Sequence, residues 1–89
     1  MTIHESHPDI IKRLKRAEGH LRSVIAMLEE GRPCVEIAQQ LQAVESAVGN
    51  AKHALVHDHI DHCLDHAIRT GEQSADTALS ELKAITKYL

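Results

Sequence analysis

Eighty-nine residues make one small domain, and a chain this short buries only a modest share of its surface alone, so assembly with copies of itself is expected. One aromatic side chain, Tyr88, excludes a stacking platform for single-stranded nucleic acid. A net charge of −3 means that any polyanionic partner must be argued from where the basic residues sit. Two cysteines, with no apolar run long enough to span a membrane and no signal-peptide pattern, point to the reducing cytoplasm, where thiols serve metals or redox chemistry more often than disulfides.

The first helix is expected over about 8–30. Ile10, Leu14, Ala17, Leu21, Val24 and Leu28 step by 4, 3, 4, 3 and 4 residues, the spacing of one helix face. The same segment carries the basic run IKRLKRAEGHLR, where Lys12, Arg13, Lys15, Arg16 and Arg22 stand against one glutamate. Gly31-Arg32-Pro33 reads as a helix stop with a proline opening the next helix. That second helix, about 33–69, repeats the steps through Ile37, Leu41, Val44, Val48, Ala51 and Leu55. Gly49-Asn50 offers a turn that would fold it into a hairpin, but the apolar register crosses the pair without a skip, which favours one long helix. Thr70-Gly71 marks the next break, and a third helix, about 74–88, has Ala75, Leu79, Leu82 and Ile85 as its inner face. No strand-like alternation occurs, so the chain reads as all-α, with the heptad-like seams of a helical bundle.

Chemistry concentrates at the end of the second helix. HALVHDHIDHCLDH, residues 53–66, holds five histidines and a cysteine in fourteen positions. On a helix, His59, His62, Cys63 and His66 fall within an arc of roughly 100°, while His53 and His57 point elsewhere. His59 and Cys63 at i and i+4 converge on one ion, and imidazole nitrogen with thiolate sulfur suits zinc, copper, nickel or cobalt. Asp58, Asp61 and Asp65 either orient imidazoles or are simply solvated. A helix with histidines on a wet face is the plain alternative, and five in fourteen residues argue against it.

Two ligands leave such a site incomplete. Cys34 is the obvious further soft donor, but on a continuous helix it lies roughly 37 Å from His59, out of reach of a shared ion and of a disulfide to Cys63. An antiparallel partner helix from a second copy removes the difficulty and generates two equivalent sites about a two-fold axis. His4 and His7, ahead of the first helix, are further candidate donors, as is His62.

RLKRAEGHL in the first helix, GRPC and AQQLQAVESAV in the second, and HDHIDHC at its end together resemble the CsoR/RcnR-type transcriptional repressors, bacterial sensors of copper, nickel and cobalt, or formaldehyde. The resemblance covers nearly the whole chain. It implies a three-helix protomer, an antiparallel four-helix-bundle dimer and a tetramer formed as a dimer of dimers, binding double-stranded operator DNA when metal-free and released by its inducer to derepress an efflux gene. It further implies Cys34 from one protomer and His59 and Cys63 from the other as metal ligands. By the same resemblance Arg13 and Lys15 occupy DNA-contacting positions, while Lys12, Arg16 and Arg22 are added from charge alone. His20 and Glu81 resemble positions that couple the metal site to the DNA-binding surface. Copper sensors often place a tyrosine where Pro33 stands here. N-terminal histidines resemble nickel- and cobalt-responsive members, with a shorter spacing to Cys34, and formaldehyde sensors use an N-terminal proline where this chain has Thr2. The inducer expected is therefore Ni(II) or Co(II), with Cu(I) or Zn(II) as the alternative ions.

Rival readings are a thiol-responsive repressor in which Cys34 and Cys63 of opposing protomers react with persulfide or oxidant, a formaldehyde-responsive repressor, and a histidine-rich metal buffer without a DNA role. His59 and its neighbours argue against the first, the basic run against the last. No nucleophile–base constellation or phosphate loop suggests an enzyme.

Overall fold

A computed structural model describes residues 6–70 and 72–89, and the side chains at 66–75 and 78 lie outside that description. His4, and the side chains of His66 and Ala75, therefore fall outside the described residues. Three α-helices account for almost all of the described chain, with no strand among the described residues: α1, His7–Glu29, α2, Cys34–Thr70, and α3, Glu72–Ile85, followed by a 3-10 turn at Thr86–Tyr88.

Each boundary has a local cause. Pro8 sits in the first turn of α1, where its missing N–H leaves no bond unmade. The helix ends because Gly31 adopts φ +70°, a left-handed conformation that glycine enters without a Cβ clash. There the Arg32 N–H donates to the Met27 carbonyl at 3.0 Å and the Gly31 N–H to that of Leu28 at 3.2 Å, the paired bonds that satisfy a helix C-terminus. The Pro33 carbonyl then accepts from Ile37 at 3.2 Å as α2 begins. Gly49 and Asn50 lie inside α2, which runs 37 residues without interruption. At ~1.5 Å per residue this rod is roughly 55 Å long, and it sets the longest dimension of the protomer, 59 Å. α3 starts two residues earlier than the expected Ser74, and its last turn tightens to 3-10 geometry.

α1 folds back along α2. The His20 ring nitrogen Nε2 lies 2.6 Å from Gln40 Oε1, and Val24 clusters with Ile37 and Val44. The two helices are thus antiparallel. α3 packs on the distal half of α2.

The core is narrower than the apolar pattern suggests. Of the two six-residue seams, Ile10, Ala17, Val24, Ile37, Val44 and Ala51 are buried, whereas Leu14, Leu21, Leu41 and Val48 remain 42–45 % exposed, with Leu28 and Leu55 also open. Alternate members of each seam are satisfied within the hairpin. The reason is geometric: residues spaced by seven share one narrow stripe, and the intervening positions lean to its other flank, which one partner helix cannot cover. Farther along, Val56 and Cys63 are buried, Cys63 beside Glu81 of α3. Leu82 and Ile85 of α3 are half-buried, but Leu79, expected on the inner face, is exposed.

Candidate metal centre

His59 and Cys63 leave α2 on successive turns, as the i, i+4 spacing requires. Their donor atoms, Nε2 and Sγ, are 3.4 Å apart. α3 brings a third group: Glu81 Oε2 is 3.7 Å from Cys63 Sγ and 4.0 Å from His59 Nε2. The nitrogen, sulfur and oxygen donors all lie within 4.8 Å of one another, close enough to share one ion after small side-chain adjustments. Cys63 is 2 % exposed, His59 is half-buried and Glu81 lies on the solvent side.

The metal-free electrostatics favour a protonated thiol. Burial pushes the Cys63 thiol above its ordinary value, and the nearby Glu81 carboxylate raises it further, by its charge and by accepting the S–H hydrogen bond. A cation reverses that balance, because it stabilises the thiolate and pairs with the carboxylate. Replacing Glu81 with glutamine on a Cys34→Ala background removes the charge and the ionised acceptor while leaving burial in place. The Cys63 thiol should then titrate at lower pH, followed by thiolate absorbance near the far ultraviolet edge. An unchanged titration would assign the shift to burial alone.

The other expected site residues are dispersed. Cys34, exposed and unbridged, opens α2 at the far end from Cys63, so one chain does not bring it to His59. His62 is exposed on α2. His7 opens α1, and extending the antiparallel register set by His20 and Gln40 places it roughly level with residues 53–54, short of His59 by about one and a half turns. His20 is farther still, since its partner Gln40 stands about 9 Å along α2 from Cys34 and about 28 Å from His59. It belongs to the Cys34 end of the rod.

Lys12, Arg13, Lys15, Arg16 and Arg22 are all exposed on α1. Two of them are held by carboxylates one turn back: Arg13 Nε is 2.9 Å from Asp9, and an Arg22 guanidinium nitrogen is 3.7 Å from Glu18. Solvent-exposed pairs of this kind contribute only about 0.3–0.5 kcal/mol, so both guanidiniums can be exchanged to phosphate. Arg13, Arg16 and His20 face Asn50 across a cleft of about 390 Å³ between α1 and α2.

Two contacts escape sequence reasoning. Glu81, named from the resemblance as a residue coupling the metal site to the DNA-binding surface, touches both His59 and Cys63, a donor position that its 18-residue separation from Cys63 does not signal. Gln40 as the partner of His20 had no signal beyond a polar residue on the expected hairpin face.

A family model described as metal-sensitive transcriptional repressor matches residues 6–88. The copper-sensing transcriptional repressor CsoR of Bacillus subtilis is 41 % identical over 78 residues, spanning 88 % of this chain and 75 % of that protein. The copper-sensing transcriptional repressor RicR of Mycobacterium tuberculosis is 37 % identical over 73 residues, 82 % of this chain and 76 % of that one. Among solved structures, the nickel-responsive transcriptional regulator InrS superposes with a TM-score of 0.84 at 33 % identity, covering 100 % of this chain and 99 % of the other.

Proposed function

Because the chain belongs to the family of metal-sensitive transcriptional repressors, whose members are not enzymes, we propose that it is a cytoplasmic Ni(II)- or Co(II)-responsive repressor that holds operator DNA when metal-free and lets it go when metal binds. The observation that carries this reading is the paired His59 and Cys63 donors, 3.4 Å apart, on a rod whose other cysteine lies a helix length away. Cys34 of the partner subunit completes the set when two rods pack antiparallel. The open halves of the seams, Leu14, Leu21, Leu41 and Val48, supply the apolar surface for that pairing, and two such dimers form the tetramer.

Glu81 bears on the choice of ion. A nitrogen, a sulfur and a carboxylate oxygen from one chain, with a second sulfur from its partner, suit a four-coordinate divalent ion. His4 or His7 is the other source of an additional donor. The copper-sensing relatives favour the second reading, Cu(I) held by Cys34, His59 and Cys63 alone, without the carboxylate.

DNA binding rests on the α1 basic residues, repeated in each copy, so that phosphate contacts accumulate despite the acidic total. Metal held by Cys63 would take the place of its proton and end the S–H hydrogen bond to Glu81, a contact between α2 and α3. The metal-bound arrangement must bind DNA less well for release to follow.

Anaerobic titration of the reduced protein with Ni(II), Co(II) and Cu(I), reading thiolate charge-transfer absorption together with retention of a fluorescent operator fragment, tests this reading. Release by Ni(II) or Co(II) is expected. Release by Cu(I) alone would move the chain to the copper branch, and equal operator affinity with and without every metal would overturn metal responsiveness.

A further inference from the structure

The metal centre takes one of the five histidines between residues 53 and 66. Two others, His53 and His57, stand one turn apart on an exposed face of α2. That face is about 120–160° around the helix from His59 and about 120–180° from the open seam of Leu41, Val48 and Leu55. Their ring centroids are 6.3 Å apart and the ring planes are tilted by 58°. Asp61 follows one turn later on the same side, also exposed.

Two imidazoles at i and i+4 form a chelate when both present a ring nitrogen to one ion. With metal–nitrogen bonds of about 2.0–2.1 Å, the centroids must stand about 4.5–5 Å apart, so the rings need to close by roughly 1.5 Å. Side-chain rotation alone achieves this, because both rings are exposed and no backbone has to move. The rigid α2 backbone already fixes the spacing, which lowers the entropic cost of binding. A site with imidazole nitrogen donors and no thiolate selects borderline divalent ions and not Cu(I).

We propose that His53 and His57 form a second metal site on each chain, taking Ni(II), Zn(II) or Cu(II) through two imidazole nitrogens, with water completing the shell. It is separate from the thiolate centre and fills without displacing the buried Cys63 proton. It is also weaker, having fewer protein donors.

The test uses the full chain carrying Cys34→Ala and Cys63→Ala, so that success or failure of the thiolate site has no bearing on it. Titrated with Cu(II), this chain is expected to bind one ion with electron paramagnetic resonance couplings from two imidazole nitrogens. Adding His53→Gln, His57→Gln or both should lower the affinity at least 10-fold, with each single change nearly as damaging as the pair, as a chelate requires. In the chain with its cysteines intact, the double glutamine variant should take up one fewer Ni(II) per chain at equilibrium and keep its thiolate absorption. An affinity and spectrum unaffected by the glutamines, or a loss from only one of the two single changes, would overturn the chelate.

Discussion

Replacing Cys63 with alanine is expected to weaken Ni(II) or Co(II) binding by at least about 100-fold, since a tightly held transition ion derives roughly 3 kcal/mol or more from each of its ligands. The metal-free variant should still bind operator within about 3-fold of the unsubstituted protein, because the basic residues of α1 are elsewhere. Alanine is the informative replacement: Cys63 is buried, and serine would put a hydroxyl where a weakly polar thiol now packs. The pH dependence supplies a second readout. With its thiol raised by burial and by Glu81, Cys63 is protonated at neutral pH and must lose that proton on ligation. Affinity should therefore fall about tenfold per pH unit for this proton as pH drops below the raised value. The Cys63 share of that slope disappears in the alanine variant. An unchanged affinity and slope would remove Cys63 from the ligand set.

Mixing two variants that each lack part of the donor set is expected to restore complete metal sites. Cys34→Ala retains the His59/Cys63 half of the site, while a chain with His59→Ala and Cys63→Ala retains Cys34. Across an antiparallel two-fold pair, one of the two sites in each mixed dimer regains a full donor set and the other has none. Random exchange makes about half of the dimers mixed, so about one quarter of the original charge-transfer intensity should return. A site built within a single chain would return none. This outcome follows from the length of α2, because an unbroken helix of 37 residues keeps Cys34 and His59 roughly 37 Å apart along the rod. It also probes the open seam halves, since complementation requires the subunits to pair.

Much of this protein was legible from residue order alone. Helix positions follow from apolar steps of 3 and 4, from the Gly31-Arg32-Pro33 stop and from an apolar register that crosses Gly49-Asn50 without a skip. The His59/Cys63 pair is local, and a fixed rise per residue both brings those two together and holds Cys34 away. The all-α class and the repressor family were readable for the same reason: their signals lie within contiguous stretches. Three matters needed the tertiary structure. Periodicity marks a seam but does not say which members one neighbour covers, so the division between buried Ala17, Val24 and Val44 and open Leu14, Leu21 and Val48 emerged only from how two helices lie against each other. The approach of Glu81 to Cys63, which adds to burial in raising the thiol's proton affinity, depends on how α3 folds back. The junction of His20 with Gln40 likewise depends on the crossing of α1 over α2. Local spacing determines which side chains share a helix face, and packing between helices decides what that face meets.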